Sequence, residues 1–461
     1  MSAPVLDLSL IPPLGEPRPS PVPEVHETTL PNGLRLVVVP RPGVPLVELR
    51  LRVPFAAAAP RQAAAHAART SVLSGAVLLG TAAHDQLEIA QLLQSHGGEL
   101  SVSADADRLL FSTTMLPDGL GAVLGVLAEL LTAATYPAGP VDAERARVGE
   151  RIQIARSQPG VIARSALAAR RYGAHPYAQQ LPSAELVAAV TPAALRKLHR
   201  DRVLPAGSTL VLVGEVDPAA AADAVGSALA GWVAEGKAVA AAPVPTAVAG
   251  PLELVHRAGA VQSNIRLGGP APGRTDPQLP AVRLASMVFG GYFSSRLVEN
   301  IRERRGYTYS PRSGVEHLMA GSSFTVDADV ATAVTGPALL ETWYELGRMA
   351  LTPVTEAELE SARRYLLGTL ALGTATHAGL ASTLSALFGA GLSADWLADH
   401  QRALATVGMD EVVEASRRWL SPAGLTAVVV GDADEAADQL RVLGPVEVGT
   451  PTGQPDAEPA A

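Results

Sequence analysis

The chain has 461 residues, 48% of them hydrophobic and 18% charged, with a formal net charge of −9. That hydrophobic fraction excludes intrinsic disorder, and an acidic balance without a Lys/Arg-rich block excludes a surface built for nucleic acid or anionic lipid. Cysteine is absent, which removes disulfides, thiolate catalysis and cysteine-held zinc together.

The length is about twice that of a typical single domain, so two domains or a duplicated unit are expected. Residues 1–23 form a Pro-rich arm with no basic region followed by an apolar core, so no signal peptide is expected. No apolar run reaches the roughly 18 residues of a membrane span. A soluble cytoplasmic protein, with neither membrane nor nucleic acid as partner, is the expectation.

Leu34 to Val39, after Gly33, reads as a strand. From Val47 to Val53 apolar residues alternate with Glu48, Arg50 and Arg52, the period of a half-buried strand. Gln62 to Leu79 reads as a buried helix, and Asp85 to His96 as an amphipathic helix ended by Gly97-Gly98. His84 and Glu88 have a spacing that could hold a metal, but Asp85 as N-cap with Glu88 completing a capping box is the simpler reading. Leu100 to Ala104 and Arg108 to Met115 pair as a hairpin, and Gly119 to Ala134 and Asp142 to Gln158 are helical. His175 reads as a turn residue, and His377 and His400 as packing or surface residues. The segment Gly268 to Gly273 lacks Lys-Ser/Thr and a following helix, so it reads as a loop and not a phosphate cradle.

An internal repeat is displaced by 217 residues: Val190 meets Val407, Pro205 meets Pro422, Gly214 meets Gly431 and Asp217 meets Asp434. In each copy a helix, starting at Thr191-Pro192 or near Asp410, leads into a Pro-Ala-Gly turn and a strand. An Asp follows that can cap the next helix. The same displacement takes Gly33 to Gly250, ahead of Pro251 to Val255. Two homologous halves are therefore expected, residues 24–235 and 251–446, with a linker at 236–250 and a flexible tail at 447–461. Adjacent strands flanked by helices argue an α+β fold with largely antiparallel sheets.

In the second half, Gly290-Gly291-Tyr292-Phe293-Ser294-Ser295-Arg296-Leu297 precedes Ile301-Arg302-Glu303-Arg304-Arg305-Gly306-Tyr307-Thr308-Tyr309-Ser310. This pair of segments resembles a signature of the pitrilysin family of zinc peptidases, which includes insulysin and the mitochondrial processing peptidase. Leu30-Pro31-Asn32-Gly33-Leu34 looks like the family's opening strand, Gln94 to Asp107 like its Gly-Gly hairpin, and Tyr172 to Tyr177 like a common first-half segment. The resemblance spans roughly residues 25 to 446 and implies a clamshell of two homologous halves.

The family's inverted motif H-x-x-E-H places two zinc-binding histidines and a water-activating glutamate on one helix, with a further glutamate ligand downstream. The corresponding helix here is Ala65 to Gly75. His66 takes the first ligand position, Arg69 replaces the catalytic glutamate and Thr70 replaces the second histidine. Arg151 falls at the downstream ligand, and Glu150 is one residue out of phase, about 100° around a helix. No zinc is expected in this chain.

The resemblance further implies that Arg302 and Tyr309 bind substrate backbone carbonyls. A guanidinium gives fixed charged donors and a phenol can donate to a developing oxyanion. The alternative is an ordinary surface ion pair for Arg302 and a core position for Tyr309. Degenerate zinc positions beside an intact Arg–Tyr pair imply a catalytically inactive, substrate-binding subunit of a heteromeric zinc metallopeptidase that cleaves unfolded peptides in an enclosed chamber. Zinc would reside in a homologous partner carrying an intact H-x-x-E-H. Two alternatives stand beside it: a structural subunit resembling the core proteins of the respiratory cytochrome bc complex, and an autonomous peptidase with an unrecognised metal site.

Overall fold

A computed structural model describes residues 23–233, 236–246 and 249–450. Nearly all of the predicted N-terminal arm, and residues 451–461 of the predicted tail, lie outside the described residues.

Strands β1 (His26–Thr29), β2 (Arg35–Pro40), β3 (Val47–Pro54), β4 (Ser101–Ala104), β5 (Arg108–Met115) and β6 (Thr209–Gly214) form one sheet, in the order β1-β2-β6-β3-β5-β4. A second sheet, in the order β12-β7-β11-β8-β10-β9, is built from β7 (Leu252–His256), β8 (Gln262–Ala271), β9 (Arg312–His317), β10 (Ser322–Ala331), β11 (Thr426–Gly431) and β12 (Val446–Gly449). Pairing is antiparallel except for β2 with β6, and for β7 with both β11 and β12.

The first half carries helices α1 (Ala63–Ala76), α2 (Gln86–Ser95), α3 (Leu120–Ala133), α4 (Ala138–Ser157), α5 (Pro159–Tyr172), α6 (Ala184–Ala188), α7 (Pro192–Arg202) and α8 (Pro218–Ala228). The second carries α9 (Leu279–Ser286), α10 (Thr335–Leu351), α11 (Glu356–Ala375), α12 (His377–Gly389), α13 (Asp395–Thr406), α14 (Met409–Trp419) and α15 (Ala433–Arg441). The molecule is thus α+β in two homologous halves. A shift of 217 carries β2 onto β7, α7 onto α14 and β6 onto β11, as the repeat requires.

Local signals explain many of the boundaries. Asp85 accepts from the Leu87 and Glu88 amides, and Glu88 returns a bond to the Asp85 amide, so the capping box forms. Thr191 caps α7 ahead of Pro192. Asp217 caps α8, whereas the equivalent cap of α15 is Asp432 and not Asp434, which sits inside the first turn. The second-half helix begins sooner after its strand, so an earlier aspartate takes the role.

Each sheet turns one face to its own helices. Leu36, Leu49, Leu51, Leu210 and Leu212 pack with residues of α1 and α3 in the first core, and Leu254, Ile265, Leu267 and Phe324 anchor the second. The opposite faces are covered reciprocally. Helix α12 of the second half lays Leu380, Leu384, Leu387 and Phe388 on Val37, Val39, Val211 and Val213 of the first sheet. Helix α5 of the first half lays Ala163, Ala166 and Leu167 on Val255, Val428 and Val430 of the second. The same displacement of 217 superposes α5 on α12, so the exchange belongs to the repeat.

This exchange overturns the half-buried reading of β3. Val47 to Val53 is buried throughout, because α12 covers the face that carries Glu48, Arg50 and Arg52. Charges so enclosed need partners: Arg50 Nη2 lies 2.8 Å from Glu48 Oε2, and Thr114 Oγ1 donates to Glu48 Oε1 at 2.8 Å. The segment Gly268 to Gly273 is likewise not a loop at its start, since Gly268 to Ala271 complete β8. Glycine at 268 allows the close approach of α5, because a Cβ there would stand 3.1 Å from the Arg171 and Leu167 side chains and press on them. The expected opening strand around Asn32 is the turn between β1 and β2, with Gly33 at φ +86°. Residues 447–449 of the expected tail are strand, because they pair with β7. A further tie joins the halves: the Tyr177 hydroxyl donates to Asp107 and accepts from the Ala320 amide at 2.9 Å, while the Met319 amide donates to Asp107.

Candidate functional site

Arg302 stands on a π-helical turn, Val298–Arg304, whose widened hydrogen-bonding is an arrangement frequent at functional sites. The chain then reverses at Gly306, φ +66°, and Thr308 Oγ1 pins the returning segment by donating to the Asp329 carbonyl at 2.6 Å. This reversal brings Tyr309 back beside Arg302. The guanidinium lies between two aromatic faces, 4.6 Å from the Tyr309 ring centroid and 4.8 Å from that of Phe293. Its Nε is 3.2 Å from Glu303 Oε1.

Tyr309 is 80% exposed, so the core reading of that residue is excluded. Its hydroxyl makes no hydrogen bond within the described residues. Arg302, Tyr307, Thr308, Tyr309 and Asp329 line an open cleft of about 600 Å³. Asp329 is fixed by Arg266 at 2.7 Å and Asn264 at 2.6 Å, and these donors hold its carboxyl below the usual range against the desolvation of burial. The cleft therefore offers one clamped cation, one free phenol and one immobilised carboxylate. Phe293 was quoted in the sequence motif but given no role there; its stacking on Arg302 becomes visible only in three dimensions.

The first half holds the degenerate positions. His66 and Thr70 lie one turn apart on α1, while Arg69 is exposed. His66 Nε2 donates to the Phe55 carbonyl at 2.6 Å, so one ring nitrogen is already committed. Burial pushes this imidazole below its ordinary pKa, the Phe55 bond opposes that shift, and the nearby charges of Arg202 and Arg69 add to it. Thr70 is buried with its hydroxyl unpartnered. Arg151 is on α4, its guanidinium 3.6 Å from Glu144 Oε1, and both it and Glu150 are exposed.

Glu144 escaped the sequence reading. It is buried against α1, where a side chain at Gly75 would collide with its carboxylate, and it pairs with Arg147 through its other oxygen. The available signal was its position two turns ahead of Arg151 on the same face of α4.

These residues do not fit zinc. A zinc centre takes three or four protein ligands, and this place supplies one imidazole already bonded to a carbonyl and one carboxylate paired with arginines. Among the described residues, the one group of three histidines or carboxylates that converges is His256, Asp432 and Asp434. There Asp432 accepts from the Asp434 and Gly259 amides and His256 Nδ1 from the Ala433 amide, which accounts for the cluster as the capped start of α15. His84 is drawn off by Glu129, 2.9 Å from its Nδ1, and not by Glu88. His175 accepts from the Tyr177 amide and donates to the Ala242 carbonyl, a turn role.

The purified chain is accordingly expected to contain no stoichiometric zinc. The double variant Arg69→Glu, Thr70→His is expected to bind little more, because Arg151 still contributes a cation where a ligand is needed; adding Arg151→Glu should be required. Elemental analysis reads the outcome. About one zinc per chain in the double variant would show that Arg151 does not occupy the third ligand position.

Residues 72–185 match the family model described as insulinase (peptidase family M16), and residues 189–366 match the one described as peptidase M16 inactive domain. The chain belongs to the peptidase M16 family, the family of pitrilysin and insulysin. An uncharacterised zinc protease of Streptomyces coelicolor is 26% identical over 427 residues, covering 90% of this chain and 92% of that protein. Another, from Mycobacterium bovis, is 27% identical over 352 residues, covering 76% of this chain and 80% of that protein. Among solved structures, a peptidase M16 inactive domain from Pseudomonas fluorescens matches with TM-score 0.81 and 23% identity, over 89% of this chain and 98% of that one. A protease from Helicobacter pylori matches with TM-score 0.81 and 17% identity, over 89% of this chain and all of the other. The two halves adopt the clamshell fold of this family, and no described helix is long and apolar enough to cross a membrane.

Proposed function

We propose that this chain is the non-catalytic, substrate-binding subunit of a two-chain zinc metallopeptidase acting on unfolded peptides in the cytoplasm. The observation that carries the reading is the contrast between the halves. One presents Arg302 and an exposed Tyr309 in an open cleft; the other carries Arg69, Thr70 and Arg151 where a zinc site needs a base and two ligands. The guanidinium is held by two aromatic faces and by Glu303 at its Nε, which leaves its terminal nitrogens as donors for peptide carbonyls. Zinc and its activated water would come from a homologous partner with an intact H-x-x-E-H.

The test is reconstitution. This chain alone should cleave no unfolded peptide, and the partner alone should cleave slowly; the mixture should co-elute on size exclusion and cleave fast. Cleavage by this chain alone, inhibited by a zinc chelator, would refute the assignment. So would full activity of the partner without it.

A further inference from the structure

Where the halves meet, five basic side chains lie near enough to act on one another, with the nearest acids, Asp105 and Asp107, on the Arg52 side only. Arg274 follows β8, Arg283 lies on α9, His317 ends β9, His400 lies on α13, and Arg52 reaches in from β3 of the first half. Arg283 Nη1 is 2.8 Å from His400 Nε2, and the His400 ring stacks on Trp396 at 4.4 Å. Trp396 Nε1 in turn donates to the Arg274 carbonyl at 3.0 Å, which ties the loop after β8 to α13. His317 Nδ1 is 2.7 Å from Ser322 Oγ. Arg52 lies across Gly389, at the end of α12, where any side chain would displace it.

Among the described residues, neither Arg52 nor Arg274 has an ion-pair partner or donates a hydrogen bond, and the one hydrogen bond of Arg283 goes to a histidine. The carboxylates felt by the group, Asp105 and Asp107, act on Arg52 alone, and Asp107 is already engaged by Tyr177 and Met319. Burial, reinforced by the neighbouring cations, pushes His400 down to about 3 and His317 down to about 4. Three guanidiniums that cannot shed their charge are thus partly withdrawn from water: Arg52 is offset in part by Asp105 and Asp107, while Arg274 and Arg283 have no carboxylate partner among the described residues, a costly arrangement unless a counter-charge completes it.

We propose that this cluster is a binding site for a phosphate-type oxyanion, either inorganic phosphate or a phosphate monoester. Three fixed positive charges exceed what a single carboxylate neutralises, and a phosphate dianion also offers the several acceptor oxygens that planar guanidinium forks bind in pairs. Because Arg52 comes from one half and the other four residues from the other, the bound anion bridges the halves.

Equilibrium dialysis of the intact chain against labelled inorganic phosphate, at fixed ionic strength, tests the proposal. The expected result is saturable uptake of about one phosphate per chain, which an equal concentration of acetate does not displace. Arg274→Gln, at a partly exposed position, should weaken binding about tenfold or more, the loss expected for charge-assisted hydrogen bonds. Arg302→Ala should leave it unchanged. Absence of saturable uptake, displacement by acetate, or loss of binding in Arg302→Ala with retention in Arg274→Gln would each overturn the assignment. If Arg274→Gln fails to fold, Arg283→Gln, which also removes a guanidinium of the cluster, makes the same comparison, and the wild-type stoichiometry stands as a separate test.

Discussion

Tyr309→Phe is expected to lower peptide turnover by the assembled two-chain enzyme by on the order of 10²–10³, the usual cost of a donor to a developing oxyanion. The substitution removes one hydroxyl from a side chain that is 80% exposed and makes no hydrogen bond within the described residues, so it leaves nothing in the fold unpaired. The ring that stacks on Arg302 remains. A fall in turnover with unchanged assembly therefore reports a lost bond to the reacting peptide and not lost packing. Arg302→Ala should fall at least as far, since it removes both the guanidinium donors and the partner of two aromatic faces. Size-exclusion chromatography checks assembly and peptide cleavage by the mixture reads the effect. Activity of Tyr309→Phe within a factor of about two of wild type would remove the phenol from the substrate site.

A second large effect is expected in stability, and it differs between two positions that the repeat equates. Gly214 ends β6 at φ +144°, and a Cβ there would be driven into the Leu46 carbonyl oxygen and to 2.9 Å from Val47 Cα. Both obstacles are backbone, at the start of β3 and the residue just before it, which cannot yield without breaking the Val47–Gly214 pairing and the Glu215 amide bond to the Leu46 carbonyl. Gly214→Ala should cost about 4 kcal/mol or more, in the range reserved for strained backbone combined with overpacking. Gly431 ends β11 in the same place, but the severe contact of a Cβ there is with the Ser263 hydroxyl at 2.5 Å, the Ser263 Cβ and Cα standing off at 3.3 and 3.5 Å. That side chain can rotate away at the cost of its bond to Thr335, about 1 kcal/mol for Gly431→Ala. Urea denaturation of the two variants makes the comparison, and equal losses would show that the repeat imposes the same constraint on both strands.

Features whose causes are local were legible in the chain. The capping box at Asp85 and Glu88, the Thr191-Pro192 start of α7 and the 217-residue displacement each rest on residues a few positions apart or on direct self-similarity. The Arg302–Tyr309 pair was legible through its motif, although the motif gave no hint that Phe293 completes the stack. What stayed hidden depends on distant partners. The burial of Glu48, Arg50 and Arg52 is caused by α12, more than three hundred residues later, and no alternation in β3 announces it. Glu144 is defined by the missing side chain at Gly75, a contact between two helices. The basic cluster collects Arg52, Arg274, Arg283, His317 and His400 from four elements and a loop, so no spacing rule could have grouped them.

The reciprocal placement of α5 and α12 separates the unit that is duplicated from the unit that folds. Residues 24–235 alone would leave Val37, Val39, Val211 and Val213 facing water and α5 without a sheet to rest on, and the second half would be stranded in the same manner. The topology is that of a domain-swapped dimer written into a single polypeptide. The two halves are interlocked, so melting one removes the roof of the other, and thermal denaturation is expected to be one cooperative event.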